Sequence, residues 1–259
     1  NIDITTDSIY NYFKTSSQSE RVTNSDREFN GQGLVFGFKQ LFPKEGEELT
    51  VDANFFGGKM SSNSYYTTNY FGYNNSITGT DLQKSLASGD DRNFVIQSDY
   101  IKPFSKLTKM EAGVRVAIRS RTNINDFYVY TDSAYILQPS ATTNYSNTDD
   151  IYAAYAAISS SIKNFSYKAG LRAERSEYNG TLTNTGESFG NSYPISLFPS
   201  VFLSQQLKNK QQLQLSYSRR INRPNFFQLI PYTDYTDPLN ITQGNPNLVP
   251  EFTQSLEMS

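Results

Sequence analysis

Between Met110 and Arg121 the residues alternate: Met110, Ala112, Val114, Val116 and Ile118 occupy one parity, and Glu111, Gly113, Arg115, Ala117, Arg119 and Arg121 the other. Successive side chains of an extended backbone point to opposite faces, whereas those of a helix return to one face every 3.6 residues, so this spacing specifies a strand with one apolar and one wet face. The period recurs along the chain. Leu34, Phe36 and Phe38 oppose Gly33, Gly37 and Lys39; Leu49, Val51, Ala53 and Phe55 oppose Thr50, Asp52 and Asn54; Phe94, Ile96 and Tyr100 oppose Val95, Gln97 and Asp99. Further on, Phe165, Tyr167, Ala169, Leu171 and Ala173 stand against Ser166, Lys168, Gly170, Arg172 and Glu174, and Leu213, Leu215, Tyr217 and Ile221 against Gln212, Gln214, Ser216, Ser218 and Arg220. In IYAAYAAISSSI (151–162) small residues leave the faces ambiguous.

The connections alternate as well. Pro43–Glu47, Phe104–Thr108, Lys163–Asn164 and Lys208–Lys210 are short, and every intervening junction is long: Ser61 to Asp91, Asn123 to Asp149, and a third polar stretch reaching Pro194 are expected to be mostly loop. Transmembrane β-barrels have this asymmetry, with tight turns on the periplasmic side and extended loops outside. The expected fold is all-β, an antiparallel up-and-down barrel segment of about ten strands, the first (from Asn1) weakly alternating and followed by a polar loop over Ser16 to Arg27. Pro199 interrupts an apolar strand and requires a bulge or a locally unpaired position. Tyr65, Tyr66, Tyr70, Phe71, Phe127, Tyr128 and Tyr130 either form an interfacial aromatic girdle or pack loops on one another.

Composition removes several function classes. A mean hydropathy of -0.57 and the lack of any run near the ~20 apolar residues of a spanning helix leave strands as the only route through a membrane. A net charge of -2 offers no basic surface for nucleic acid. With neither Cys nor His, disulfides, thiolate or imidazole metal sites and histidine acid–base chemistry are unavailable, so no cofactor is expected and an enzyme is the least favoured class. No composition shift divides the chain, which is read as one partial β-barrel domain over 1–259. It begins without a signal peptide and stops while Phe252, Leu256 and Met258 still alternate, as expected of a piece of a longer protein lacking a plug and the remaining strands.

Periodicity alone does not choose between a soluble sandwich, which buries its apolar parity, and a barrel, which turns it to lipid. In the barrel reading Val114, Val116, Ile118, Tyr167, Leu171, Leu213, Leu215 and Tyr217 face lipid. Asp52, Gln97, Asp99, Glu111, Arg115, Arg119, Lys168, Arg172, Glu174, Gln212, Gln214 and Arg220 then face a lumen, where they solvate the wall and pair across strands or meet a ligand. The pairs Asp90–Asp91 and Asp149–Asp150, placed in loops, fall short of the roughly six oxygens of a calcium site. The glycines of NGQGLVFG (30–37) precede no helix start, so they suggest close approach or a bend rather than a phosphate loop.

Arg219, Arg220, Ile221, Asn222, Arg223 and Pro224, followed by Gly244, Asn245, Pro246, Asn247, Leu248, Pro250 and Glu251, resemble the paired signature of the outer-membrane β-barrel family among TonB-dependent receptors. The resemblance implies a bacterial outer-membrane transporter of a nutrient or metal chelate, with 22 strands, an N-terminal plug absent here, lipid around the wall and TonB as the energy-coupling partner acting through that plug. It also leaves room for a surface lipoprotein or envelope-complex partner. The motif residues read more readily as a folded crossing than as ligand contacts, with Arg219, Arg220 and Arg223 placed to pair with Asp234, Asp237 or Glu251. A plugless porin or structural barrel, and a soluble ligand-binding sandwich, remain alternatives at this point.

Overall fold

In a computed structural model, residues 2–10, 16–231, 233–234 and 241–259 are described. They form strands β1 (Ile2–Tyr10), β2 (Ser16–Leu41), β3 (Glu48–Phe71), β4 (Ile77–Pro103), β5 (Thr108–Thr131), β6 (Ala134–Leu137), β7 (Tyr145–Ile162), β8 (Phe165–Leu182), β9 (Ser188–Gln206), β10 (Gln212–Asn222), β11 (Thr233–Asp234), β12 (Thr242–Gln243) and β13 (Glu251–Met258). One short helix, α1 (Phe226–Leu229), lies between β10 and β11. The antiparallel sheet runs β1-β2-β3-β4-β5-β7-β8-β9-β10-β13, with β6 beside β5 and with β11 and β12 paired apart from it. Neighbours in space are neighbours in sequence, so this is an up-and-down meander. Among the described residues β1 and β13 do not pair, and the sheet is open.

The four short turns stand where the alternation places them. The opposite end differs from expectation. Ser61–Asp91 is strand except for a turn at 72–76, β3 pairing with β4 from Glu48↔Ile101 to Phe71↔Ile77. Ser16–Arg27 belongs to β2, pairing with β3 from Gln18↔Phe71 onward. Much of Asn123–Asp149 lies in β5, β6 and β7, and most of the third stretch in β8 and β9, which pair as far as Thr181↔Ser188. Alternation in a sequence records different surroundings on the two faces. Where both faces are wet, the ladder continues and the pattern disappears.

Pro199 opposes Leu171 inside the β8–β9 ladder, one residue past the end of the β9–β10 ladder at Ser218↔Ser200, so its missing N–H breaks no bond on that side. The bulge falls elsewhere. Glu174 opposes Ser196 but Ser176 opposes Tyr193, which leaves one extra residue in β9 beside Pro194 and Ile195. The glycines of 30–37 do mark close approach, since a Cβ on Gly31 would lie 2.9 Å from the Phe29 ring and 3.1 Å from Phe56.

Among the described residues the body of the sheet has no conventional core. Leu34, Phe36, Val114, Leu171 and Leu213 are exposed by 43–73 %. The buried apolar cluster, Tyr145, Leu182 and Ile230 with Phe189 packed against it, forms where the chain after β10 folds back onto the outer ends of β7, β8 and β9.

Candidate functional site

Residues directly opposed in adjacent strands share a face. Asp52, Gln97, Arg115, Ala153, Glu174 and Ser196 therefore form one row across β3, β4, β5, β7, β8 and β9, and Ser204↔Gln214 carries the face onto β10. By parity Asp99, Glu111, Arg119, Lys168, Arg172, Gln212 and Arg220 join it, so all twelve polar candidates lie on one side. The eight apolar candidates lie on the other: Val114 leads through Ala154 and Ala173 to Leu197, and Tyr167 through Leu203 to Leu215. The ambiguity in β7 resolves with Ala153, Tyr155 and Ala157 on the polar side and Tyr152, Ala154, Ala156 and Ile158 on the apolar side.

The polar side is tied together rather than merely wet. Arg115 donates to Gln97 (3.1 Å) and Gln97 to Asp99 (2.8 Å), whose other oxygen accepts from the Tyr155 hydroxyl. Glu111 bridges Lys109 at 2.8 Å and Lys168 across two strand gaps. Arg121 holds Asp91 at 2.7 Å, while Arg119 and Asp149 stand 3.8 Å apart. Gly113 makes the Asp99–Tyr155 contact sterically feasible, because a Cβ there would lie 2.5 Å from Asp99 Oδ1, 2.6 Å from Tyr155 Cε1 and 2.8 Å from the Ser98 carbonyl. Apart from Gln97–Asp99 and Lys109–Glu111, two residues apart on their own strands, the partners sit 18 to 57 residues apart, so sequence spacing had no means of joining them.

Glu174 is the node of this network. Its carboxylate is buried, and Arg172 donates to Oε2 through Nε at 3.0 Å and Nη2 at 2.5 Å. Arg223, from the loop beyond β10, donates to the other oxygen and to Ser176 Oγ at 3.1 Å. Burial lowers the Arg223 guanidinium from its ordinary value, with Asp149 nearby acting in the opposite direction. The expected partners Asp234 and Asp237 lie, as side chains, outside the described residues. Glu251 is exposed and faces Asn222 across the β10–β13 ladder, and Arg223 turns back to Glu174 in the wall.

The other motif residues hold that loop. Arg219 donates to the Leu197 carbonyl at 3.2 Å and stacks 4.5 Å from the Phe252 ring, just past the end of the β9–β10 ladder. Arg220 and Asn222 are exposed, and Pro224 is half-buried. Asn225 caps α1 reciprocally with Gln228: Gln228 N–H donates to Asn225 Oδ1 (3.1 Å) and Asn225 N–H to Gln228 Oε1 (2.9 Å), a capping box legible as N-x-x-Q. The second half of the motif docks onto this turn. Following Gly244, Asn245 N–H donates to the Gln228 carbonyl (2.6 Å), and Asn245 Oδ1 accepts from Asn247 N–H (3.0 Å) across Pro246. Asn191 and Tyr193 of β9 donate to the Leu248 carbonyl, and Pro250 ends the crossing where β13 begins. Arg223, Pro224, Asn225 and Leu229 thereby close a cavity of about 330 Å³ against Arg119, Arg121, Asn147, Asp149, Ser176, Tyr178 and Tyr193.

Both acidic pairs lie in strands. Consecutive residues of a strand straddle the sheet, so Asp91 pairs with Arg121 on one side and Asp90 with Arg92 on the other, and Asp149 and Asp150 separate likewise. Neither pair can present two carboxylates to one ion. Of the seven aromatic residues read either as a girdle or as loop packing, Tyr66 meets Phe127 at 6.3 Å under the Arg21 guanidinium and Tyr130 meets Tyr135 at 5.1 Å, while Tyr65 and Tyr70 are exposed. At the hairpin tip, the hydrogen bond from the Tyr70 hydroxyl to Asp81 raises the phenol above its usual range.

The pattern of the outer membrane protein beta-barrel family matches residues 40–259. Among solved structures, the ferric citrate transporter FecA in its unliganded form aligns over 80 % of this chain and 36 % of its own, at 14 % identity and a TM-score of 0.41. The copper transporter OprC aligns over 94 % of this chain and 46 % of its own, at 11 % identity and a TM-score of 0.47. The chain thus spans less than half the length of either. No protein of curated function matches the sequence.

Proposed function

Since the chain belongs to the outer membrane protein β-barrel family and to the bacterial outer membrane, we propose that it is part of the wall of a TonB-dependent receptor that takes up a nutrient or metal chelate. Its apolar face meets lipid and its polar face lines the lumen. Along β5 the apolar face runs from Met110 to Ile118, which at about 3.3 Å per residue and about 40° of tilt covers roughly 20 Å, close to the apolar band of such barrels. Asp52, Gln97, Asp99, Glu111, Arg115, Lys168, Arg172 and Glu174 form the lumenal network. Arg219, Arg223, Pro224, Asn245, Pro246 and Pro250 serve to fold the loop before β13 inward, and selectivity belongs to other residues.

The observation that carries this reading is the tie between Arg223 and Glu174, which draws the loop bearing the receptor-like motif onto the charged face. In a soluble sandwich the apolar face would be covered instead. TonB, acting through a plug outside this chain, is the proposed energy source. The test is accumulation of candidate chelates by cells expressing the intact protein, with and without TonB, together with planar-bilayer conductance of the purified protein. TonB-dependent accumulation and a closed resting barrel are expected. A large steady conductance with TonB-independent flux would replace the receptor with a porin.

A further inference from the structure

The four short turns share a chemistry that uptake does not use. Lys44, Lys106, Lys163, Lys208 and Lys210 lie in them and Lys102 lies beside the second; all six are exposed, none has an acidic partner among the described residues, and although Glu45 and Glu47 offset Lys44 in the first turn, the other three turns carry no carboxylate. The other lysines at this end, Lys39, Lys109 and Lys168, are held by Glu48 and Glu111. In the other half of the sheet the cations are mostly arginine, and several pair with carboxylates, as Arg121 with Asp91 and Arg175 with Glu177. Each lysine-bearing turn also carries an exposed apolar neighbour: Phe42, Phe104 with Leu107, Ile162 and Leu207, exposed by 38–62 %. Lys163 and Lys210 hold φ of 53° and 61°, where Gly or Asn is less costly, so these positions keep lysine against backbone preference.

We propose that this rim binds anionic phospholipid headgroups of the periplasmic leaflet, the ammonium groups meeting phosphate diester oxygens while the neighbouring apolar side chains enter the acyl boundary. The inference rests on the wall reading above, with short turns toward the periplasm. Lysine suits the task because its stem lies along apolar surface while its head reaches the polar layer. An acidic protein would meet the charge but give Phe104, Leu107, Ile162 and Leu207 no apolar phase, and Ile162, at the end of β7, continues the apolar face of the sheet.

The test is native mass spectrometry of the intact protein released from nanodiscs of mixed phosphatidylglycerol and phosphatidylethanolamine. Wild type should retain phosphatidylglycerol at least about fivefold over its share of the disc, an effect of the size expected per surface lysine at low salt. Replacing all six lysines with Gln should bring retention to parity, whereas Lys59→Gln with Lys84→Gln should leave it intact. Inorganic phosphate at matched ionic strength should not displace the lipid; displacement would assign the rim to free anions and overturn the proposal. Parity in wild type, or enrichment surviving the sixfold change, would also overturn it. Should the sixfold variant fail the heat-modifiable mobility test of folding, the triple Lys106→Gln, Lys163→Gln, Lys208→Gln takes its place, and undiminished enrichment there is equally fatal. Release of wild-type protein from vesicles by carbonate would sink the wall reading itself, whereas an integral protein at parity sinks only the lipid proposal.

Discussion

The same strands behave as two materials along their length. In the turn-side half the faces differ sharply, one carrying Val114, Val116 and Leu171 and the other Arg115, Arg172 and Glu174. In the loop-side half the β4–β5 and β5–β7 ladders run on without a shift but both faces turn largely polar, as in Thr122, Asn123 and Asn125 of β5, and side-chain clusters such as Tyr66 with Phe127 add cohesion. The backbone hydrogen bonds are alike in the two halves. What separates them is the solvent each face meets, so the apolar stripe reports surroundings and the ladder persists without it.

The contrast breaks most readily by placing a charge on the apolar face. Val116→Arg is expected to destabilise the folded, lipid-inserted protein by about 2–4 kcal/mol, while Thr122→Arg, on the same face of β5 in the loop-side half, should change stability by less than about 0.5 kcal/mol. Urea titration in lipid vesicles, followed by heat-modifiable mobility, measures both, and equal effects would erase the distinction. Next in size is Glu174→Gln, which leaves Arg172 and Arg223 without their shared carboxylate and should cost about 2 kcal/mol. Limited proteolysis should then cut between Arg223 and Pro250 well before the turn-side strands; cleavage at the wild-type rate would mean that Arg223 does not hold the loop.

Three further substitutions sharpen the comparison. Gly113→Ala drives a methyl into Asp99, Tyr155 and a backbone carbonyl and should cost about 1–3 kcal/mol. Gly79→Ala, whose Cβ would first meet Tyr70 at an ordinary 3.7 Å, should be neutral or stabilising by up to about 1 kcal/mol in the same titration. Removing the helix cap with Asn225→Ala should cost about 1 kcal/mol at most, seen as faster amide exchange at Gln228 and Asn245 with the strand ladders unaffected.

These differences explain what could be read beforehand. Strands and faces in the turn-side half were legible because Val114, Arg115 and Val116 alternate, and the short turns were legible because the alternation stops at both of their ends. The loop-side strands were not, since residues such as Ser61 to Tyr66 are polar or aromatic on both parities. In β7 the faces follow only from its register with β5, where Tyr155 opposes Gly113 and Ala154 opposes Val114. The loop after β10 reads in the sequence only as a folded crossing, its N-x-x-Q capping box passed over, and its destination is hidden because Arg223 and Glu174 are 49 residues apart and meet through the fold alone.

Past Ser218 the stitching of the wall changes thread. Peptide hydrogen bonds between β9 and β10 give way to guanidinium groups, Arg219 reaching Leu197 and Arg223 reaching Glu174. Because Glu174 is buried, mobile ions screen its pair with Arg223 far less than they screen a surface pair such as Arg175 with Glu177. The outer lip therefore stays fastened as ionic strength rises, by charges that salt reaches only weakly.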